Sequence, residues 1–377
     1  MSRPAVVGLA CVGAATLALG TLALLGSEPA ASAGGWTGWT GRVDPSATAD
    51  MAAMTPDDAV AVALLARSAR TATKLAYSGR AETTQGEKRT TADLTHVPGR
   101  GTIVTAVSPT PGKPALAPDG RSGTLADDGR VLDLLRIHYR VLRQADLDEA
   151  VGGRAADAVV AVSADGSVAA RFWLDHTTGL LLRKQLVAAD GSVLRSISLT
   201  SVRLGLPKST SIPATTNDRF GTRLDDKALA AERAQGCPCP DALPGGLALV
   251  ETRRSTAGTV LASPVVHQVF SDGLETVSLF SVAGLLTDTD ASDLGARGFT
   301  AEGAGTGTAW VRAGDGSAWT AVWVTGGQVL TLVVSDAEDP ASTASAVLQA
   351  LPPSGEQDSS LLGRVARGWN RIFGSGS

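Results

Sequence analysis

Residues 171–204 hold three apolar runs with polar positions interleaved, broken at residues 175–179 and again at Asp190-Gly191. A further apolar run, 158–163, precedes them and ends at Asp165-Gly166. Asp-Gly supplies the positive φ on which a two-residue hairpin turns. The pattern predicts four strands joined by three short turns, an antiparallel meander. One face of such a sheet needs cover from a helix, a second sheet or a ligand.

Upstream, Thr55-Pro56-Asp57-Asp58 announces a helix. Thr55 suits the cap, Pro56 the first helical position, and the acids the positive end of the dipole. Val60, Leu64 and Leu65 form its apolar stripe, which runs to about residue 73. Strands are expected at 75–84, 89–97 and 102–107, with turns at Gly86 and Pro98-Gly99. Residues 108–121 contain four prolines and two glycines and read as an exposed loop without regular structure. A short helix is expected over 130–136 and a strand over 139–145. Residues 206–242 read as a linker, with Pro207, Pro213, Pro238 and Pro240 around a short helix at 224–234.

Beyond 243 the predicted strands are 247–253, 265–271, 274–282, 309–312, 318–324 and 329–335. Asp272-Gly273 closes a hairpin, and Asp339-Pro340 starts a last helix to about 351. The expected class is α+β: a curved antiparallel sheet with covering helices over 55–205, then a smaller antiparallel α+β domain over 243–352.

The chain ends differ from this pattern. Residues 5–26 are uncharged and mostly apolar, and about 20 such residues span a bilayer. Ala31-Ser32-Ala33 offers a cleavage site, so 1–33 reads as a signal peptide or a membrane anchor. Either places the bulk of the chain outside the cytoplasm, with Arg3 left inside. Residues 34–54 form a Gly, Trp and Thr-rich spacer. In the tail, 353–377, Leu361, Val365, Trp369 and Ile372 recur at helical spacing beside Arg364, Arg367 and Arg371. That is a basic amphipathic helix, for a membrane surface, a partner, or the chain's own second domain.

At 377 residues two folded domains are expected, with 44% hydrophobic residues supplying their cores. A net charge of −4 and only two Tyr argue against nucleic-acid binding. The pair Cys237-Pro238-Cys239 lacks the second Cys pair or His cluster that a metal site needs. It is read as free thiols or a disulfide, a disulfide across one residue being strained. The four histidines, His96, His138, His176 and His267, form no H-E-x-x-H or H-x-H motif, and no G-x-S-x-G or phosphate loop is present. The segment starting at Asp288 opens like a calcium loop, but Asp293 and Phe299 occupy the positions that require Gly and Glu. No catalytic residue, metal ligand or cofactor is assigned, and a binding protein is expected.

The segment FWLDHTTGLLLRKQLVAADGSVL (172–194) resembles a characteristic stretch of the MucB/RseB family. KLAYSGRAETT (74–84) resembles the family's early strand, and VHQVFSDGLETVSLF (266–280) resembles its second-domain hairpin. The resemblance implies a first domain like the lipoprotein carriers, a half-open barrel, and an extracytoplasmic regulator that binds a membrane-spanning anti-sigma factor. It implies a lipid-like ligand that signals envelope stress. Phe172, Leu174, Leu180, Leu182 and Leu186 are then candidates to line an acyl-chain groove, against core packing as the plainer role. Arg364, Arg367, Trp369 and Arg371 are candidates for membrane or partner contact, and the resemblance does not account for them. The alternative is a lipid or lipoprotein carrier without a regulatory role.

Overall fold

The structure, a computed structural model, describes residues 58–98, 101–108, 115–117, 130–206, 222–255, 264–313, 318–335 and 337–354. The first helix, α1 (Ala59–Ala72), starts one turn later than its expected cap. Asp58 does the capping: its carboxylate accepts from Val60 N at 2.8 Å and Ala61 N at 3.4 Å. Thr55 lies outside the described residues. Asp58 also accepts from Arg143 N at 3.2 Å, so the helix start is tied to a strand far along the chain. These N–H donors, that of Val60 first, hold the Asp58 carboxyl below the usual carboxylate range.

The first sheet is built from β1 (Tyr77–Gln85), β2 (Lys88–Val97), β3 (Gly101–Ser108), β4 (Ala115–Ala117), β5 (Arg140–Arg143), β6 (Glu149–Val151), β7 (Arg154–Val162), β8 (Val168–Asp175), β9 (Leu181–Val187) and β10 (Val193–Leu204). Its order is β4-β3-β2-β1-β10-β9-β8-β7-β5, with β6 also on β7, and every pairing is antiparallel. The meander is present as β7–β10. β4 lies inside the proline-rich stretch that was expected to carry no regular element. Ala115-Leu116-Ala117 falls between two of the prolines and pairs with β3 there. The expected short helix is α2 (Arg130–His138).

The second sheet holds β11 (Thr222–Arg223), β12 (Ala242–Leu243), β13 (Leu247–Ser255), β14 (Val265–Ser271), β15 (Thr276–Ala283), β16 (Thr300–Ala304), β17 (Gly307–Ala313), β18 (Ala318–Thr325) and β19 (Gln328–Ser335). Its order is β11-β13-β14-β15-β19-β18-β17-β16, with β12 on β13. Three helices accompany it: α3 (Asp226–Ala234), α4 (Asp288–Ala296) and α5 (Pro340–Ala350). α4 occupies the rejected calcium-loop segment. A capping box between Thr287 and Asp290 starts it. Both sheets are open, and the architecture is α+β.

α1 and α2 pack Ala61, Leu65, Leu132 and Leu135 onto Val159, Ala170, Phe172, Leu174 and Leu186. A separate core gathers Tyr77, Ala81, Trp173, Leu180, Leu182 and Leu199. In the second half, α5 lays Ala344, Val347 and Leu348 over Phe270, Leu279, Trp323 and Leu332.

Candidate functional site

The core under α1 and α2 is completed from the other half of the chain. Leu274, 5% exposed, lies in the turn between β14 and β15 and packs in the cluster of Leu132, Leu135 and Phe172. The turn is shaped for this by its own polar groups. Asp272 Oδ1 accepts from Leu274 N at 2.8 Å and Glu275 N at 2.7 Å, and Ser271 Oγ accepts from Gly273 N at 2.9 Å. Gly273 has φ 105°, and a Cβ there would meet Leu135 N and Cα at 2.4 Å. Only glycine lets the turn press on the backbone of α2.

One hydrogen bond crosses beside this contact. Tyr139, directly after α2, donates its hydroxyl to Asp272 Oδ2 at 2.6 Å. Burial, then the Asp272 charge, push the Tyr139 hydroxyl far above its ordinary pKa, so it remains a donor at any physiological pH. Lys184 Nζ reaches Leu274 O at 3.5 Å, and Ala189 N donates to Glu338 Oε1 at 3.1 Å. A Cβ on Gly246 would likewise run into the His138 ring, at 2.6 Å.

The five groove candidates are all buried, at 0–7% exposure. Phe172, Leu174 and Leu186 belong to the core that receives Leu274, whereas Leu180 and Leu182 belong to the core around Trp173. The division has a local cause. The β8–β9 register shifts between Trp173 and Leu174, so strict alternation does not carry through the turn. The tail candidates Arg364, Arg367, Trp369 and Arg371 lie outside the described residues, as does the apolar run 5–26. Among the described residues no helix is long and apolar enough to cross a membrane.

A shallow depression of about 290 Å³ lies at the C-terminal end of α1, lined by Arg67, Arg70, Thr71, Lys74, Leu75 and Thr178. Its far wall is the β8–β9 turn, pinned to the helix. Arg67 donates to His176 O and Thr177 O, and Thr71 Oγ1 donates to Thr178 O at 2.6 Å. Asp175 anchors that turn from inside. It is 2% exposed, accepts from Thr178 N and Oγ1 at 2.7 Å each, and pairs with Arg154 at 2.5 Å. Burial pushes its carboxyl up, but the Arg154 and Thr178 bonds outweigh this and hold it below the usual range.

Three histidines have side-chain partners among the described residues. His267 Nε2 lies 3.0 Å from Ser278 Oγ, but Ser278 is fully buried and the His267 ring is stacked on Phe280 at 4.1 Å. His176 Nδ1 meets Asp157 Oδ2 at 3.0 Å on the surface. His96 is buried, bonded to Thr102 Oγ1 and Ala72 O. Among the described residues no three His, Cys, Asp or Glu gather as metal ligands.

Cys237 and Cys239 form a disulfide, Cα atoms 5.2 Å apart. Of the two readings open in the sequence, the bonded pair is the one formed. A closed loop of three residues removes only about 1.6 kcal/mol of unfolded-chain entropy, against roughly 3 kcal/mol for a 15-residue loop. The two cysteines cluster with Leu229 of α3 and Val266 of β14.

Residues 120–220, which span α2, the meander and its flanks, match the family model described as the MucB/RseB N-terminal domain. No curated protein matches the chain. Among solved structures, MucB is 19% identical, with 78% of this chain and 98% of that chain covered and a TM-score of 0.46. The MucA/MucB complex of Pseudomonas aeruginosa is 19% identical over 79% of this chain and 100% of that chain, at a TM-score of 0.42. MucB in complex with MucA(peri) is 18% identical over 78% and 99%, also at 0.42. The likeness to the MucB/RseB family is therefore carried by the segment 120–220.

Proposed function

We propose that the protein is an extracytoplasmic regulator that holds the outer part of a membrane-spanning anti-sigma factor and is released by a lipid-like ligand. The family match over 120–220 carries this reading. The packing of Leu274 supplies a route for the release. An acyl chain entering among Phe172, Leu174 and Leu186 would compete with Leu274 for the same apolar space. Ligand in the first half then loosens the second half, and a partner held across both halves loses affinity. A plain carrier needs the sheet but not this contact, so the inserted turn favours the regulator over the carrier.

The test is affinity capture with the tagged full-length chain from a detergent extract of its native membranes, followed by mass spectrometry of proteins and lipids. Recovery of a single-span protein with a small cytoplasmic domain, lost on adding lipid extract, is the expected result. Recovery of lipid or lipoprotein alone overturns the regulatory reading and leaves the carrier.

A further inference from the structure

The geometry points to Cys237–Cys239 as a reducible dithiol–disulfide couple that sets how firmly α3 is docked on the second sheet. α3 lies between β11 and β12 of the second sheet, and Leu229 and Glu232 are its buried residues. Leu229 shares a buried cluster with Cys237, Cys239 and Val266. Glu232 pairs with Arg254 of β13 at 3.2 Å. The helix is seated by Leu229, the Glu232–Arg254 pair, the bonds of Arg233 to Cys239 O and Asp241, and the cysteine pair.

The bond does little that the surrounding turn does not already do. Cys237 N donates to Glu232 O at 3.1 Å, and Arg233 Nε donates to Cys239 O at 2.7 Å. Gln268 Nε2 reaches Pro240 O at 3.0 Å from β14. None of these bonds runs through the sulfurs, so none is cut when the disulfide opens. Folding strengthens a disulfide only by as much as the disulfide stabilises the fold, and a three-residue loop contributes little. The pair is thus poised for reversible opening, unlike a bridge that closes a long loop. What changes on opening is the seat. Two thiols replace one compact bridge, and the sulfurs move apart inside a packed apolar contact beneath Leu229.

The co-reactant is a small thiol or a dithiol oxidoreductase. Its thiolate attacks the sulfur of Cys237, the more exposed residue of the pair at 9% against 5% for Cys239. The S–S bond breaks and Cys239 leaves as a thiolate. A second thiol resolves the mixed disulfide. The reductant leaves as its disulfide, and the protein keeps two electrons and two protons as a pair of thiols.

The test uses the folded full-length chain in detergent, equilibrated in reduced and oxidised glutathione mixtures at increasing reducing strength. Acid quenching, alkylation and peptide mass spectrometry read the state of Cys237 and Cys239, and hydrogen exchange reads residues 226–234 in the same samples. The expected result is reduction of the pair without denaturant, a rise in exchange over 226–234 of about tenfold, and recovery of both on returning to oxidised glutathione. Reduction only after unfolding, or reduction with unchanged exchange, overturns the proposal. Exchange in Val266→Ala separates the two effects: that variant loosens α3 in either redox state, so a wild-type response as small as the variant's redox difference also counts against the switch.

Discussion

Two turns of this chain share one chemistry and differ in what they hold. The β8–β9 turn and the β14–β15 turn each begin at an aspartate whose carboxylate accepts backbone N–H groups of the turn. Each contains a glycine at positive φ, Gly179 at 79° and Gly273 at 105°. The first turn stays within its own half. Asp175 pairs with Arg154 across the adjacent strand, and the space at Gly179 is filled by the Arg67 side chain, whose Cγ would lie 2.9 Å from an added Cβ. The second turn reaches into the other half. Its aspartate takes the Tyr139 hydroxyl, and its glycine faces the α2 backbone. A long side chain can move aside and a helix backbone cannot. Equal turn chemistry therefore makes an adaptable contact in one place and a rigid one in the other.

The largest break comes at the rigid contact. Gly273→Ala puts a Cβ into Leu135 and should cost roughly 4 kcal/mol. Urea unfolding should then divide into two separate transitions, read by hydrogen exchange in the two sheets. Asp175→Asn comes next, at about 3 kcal/mol at neutral pH, because it leaves the Arg154 charge without its buried partner. The folded carboxyl titrates below its unfolded value of about 3.9, so its contribution is present above that pH and is lost as pH falls through the folded pKa. Wild type and variant should therefore converge in acid unfolding curves below about pH 4. Tyr139→Phe removes a single bond to a carboxylate and should cost about 1.5 kcal/mol, expressed as faster exchange at the β14–β15 turn. Gly179→Ala should cost only about 1 kcal/mol, the backbone strain of positive φ, with the Arg67 stem shifting to make room. A thermal melt that ranks Gly179→Ala above Gly273→Ala would reverse the comparison.

Both turns were legible as turns, because Asp and Gly at fixed spacing carry a local mechanism. The destination of the second was not. Tyr139 and Asp272 lie 133 residues apart, and no periodicity links them. Other misses were local. β16, Thr-Ala-Glu-Gly-Ala, is largely exposed and has a single β-branched residue, so it has neither the alternation nor the composition of a strand. α4 was readable from Thr287 and Asp290, a capping pair eclipsed by the calcium-loop resemblance of the same residues. The five leucine and phenylalanine candidates were correctly apolar in pattern. Their division between two cores depends on the register shift after Trp173, which leaves no mark in alternation.

The pairing of β1 with β10 also fixes an order of assembly. β1 pairs at once with β2, but Tyr77 also sits opposite Leu204, so its other edge waits for more than a hundred residues before that neighbour exists. Even then the α1–α2 core lacks Leu274, which comes later still. Loop-closure entropy is met before these distant pairings reward it, and such topologies fold slowly. The N-terminal half should therefore pass through a long-lived state with an open apolar cleft until the C-terminal half arrives to close it. For this chain, a C-terminal truncation before the β14–β15 hairpin is a folding lesion in the first half as much as a deletion of the second.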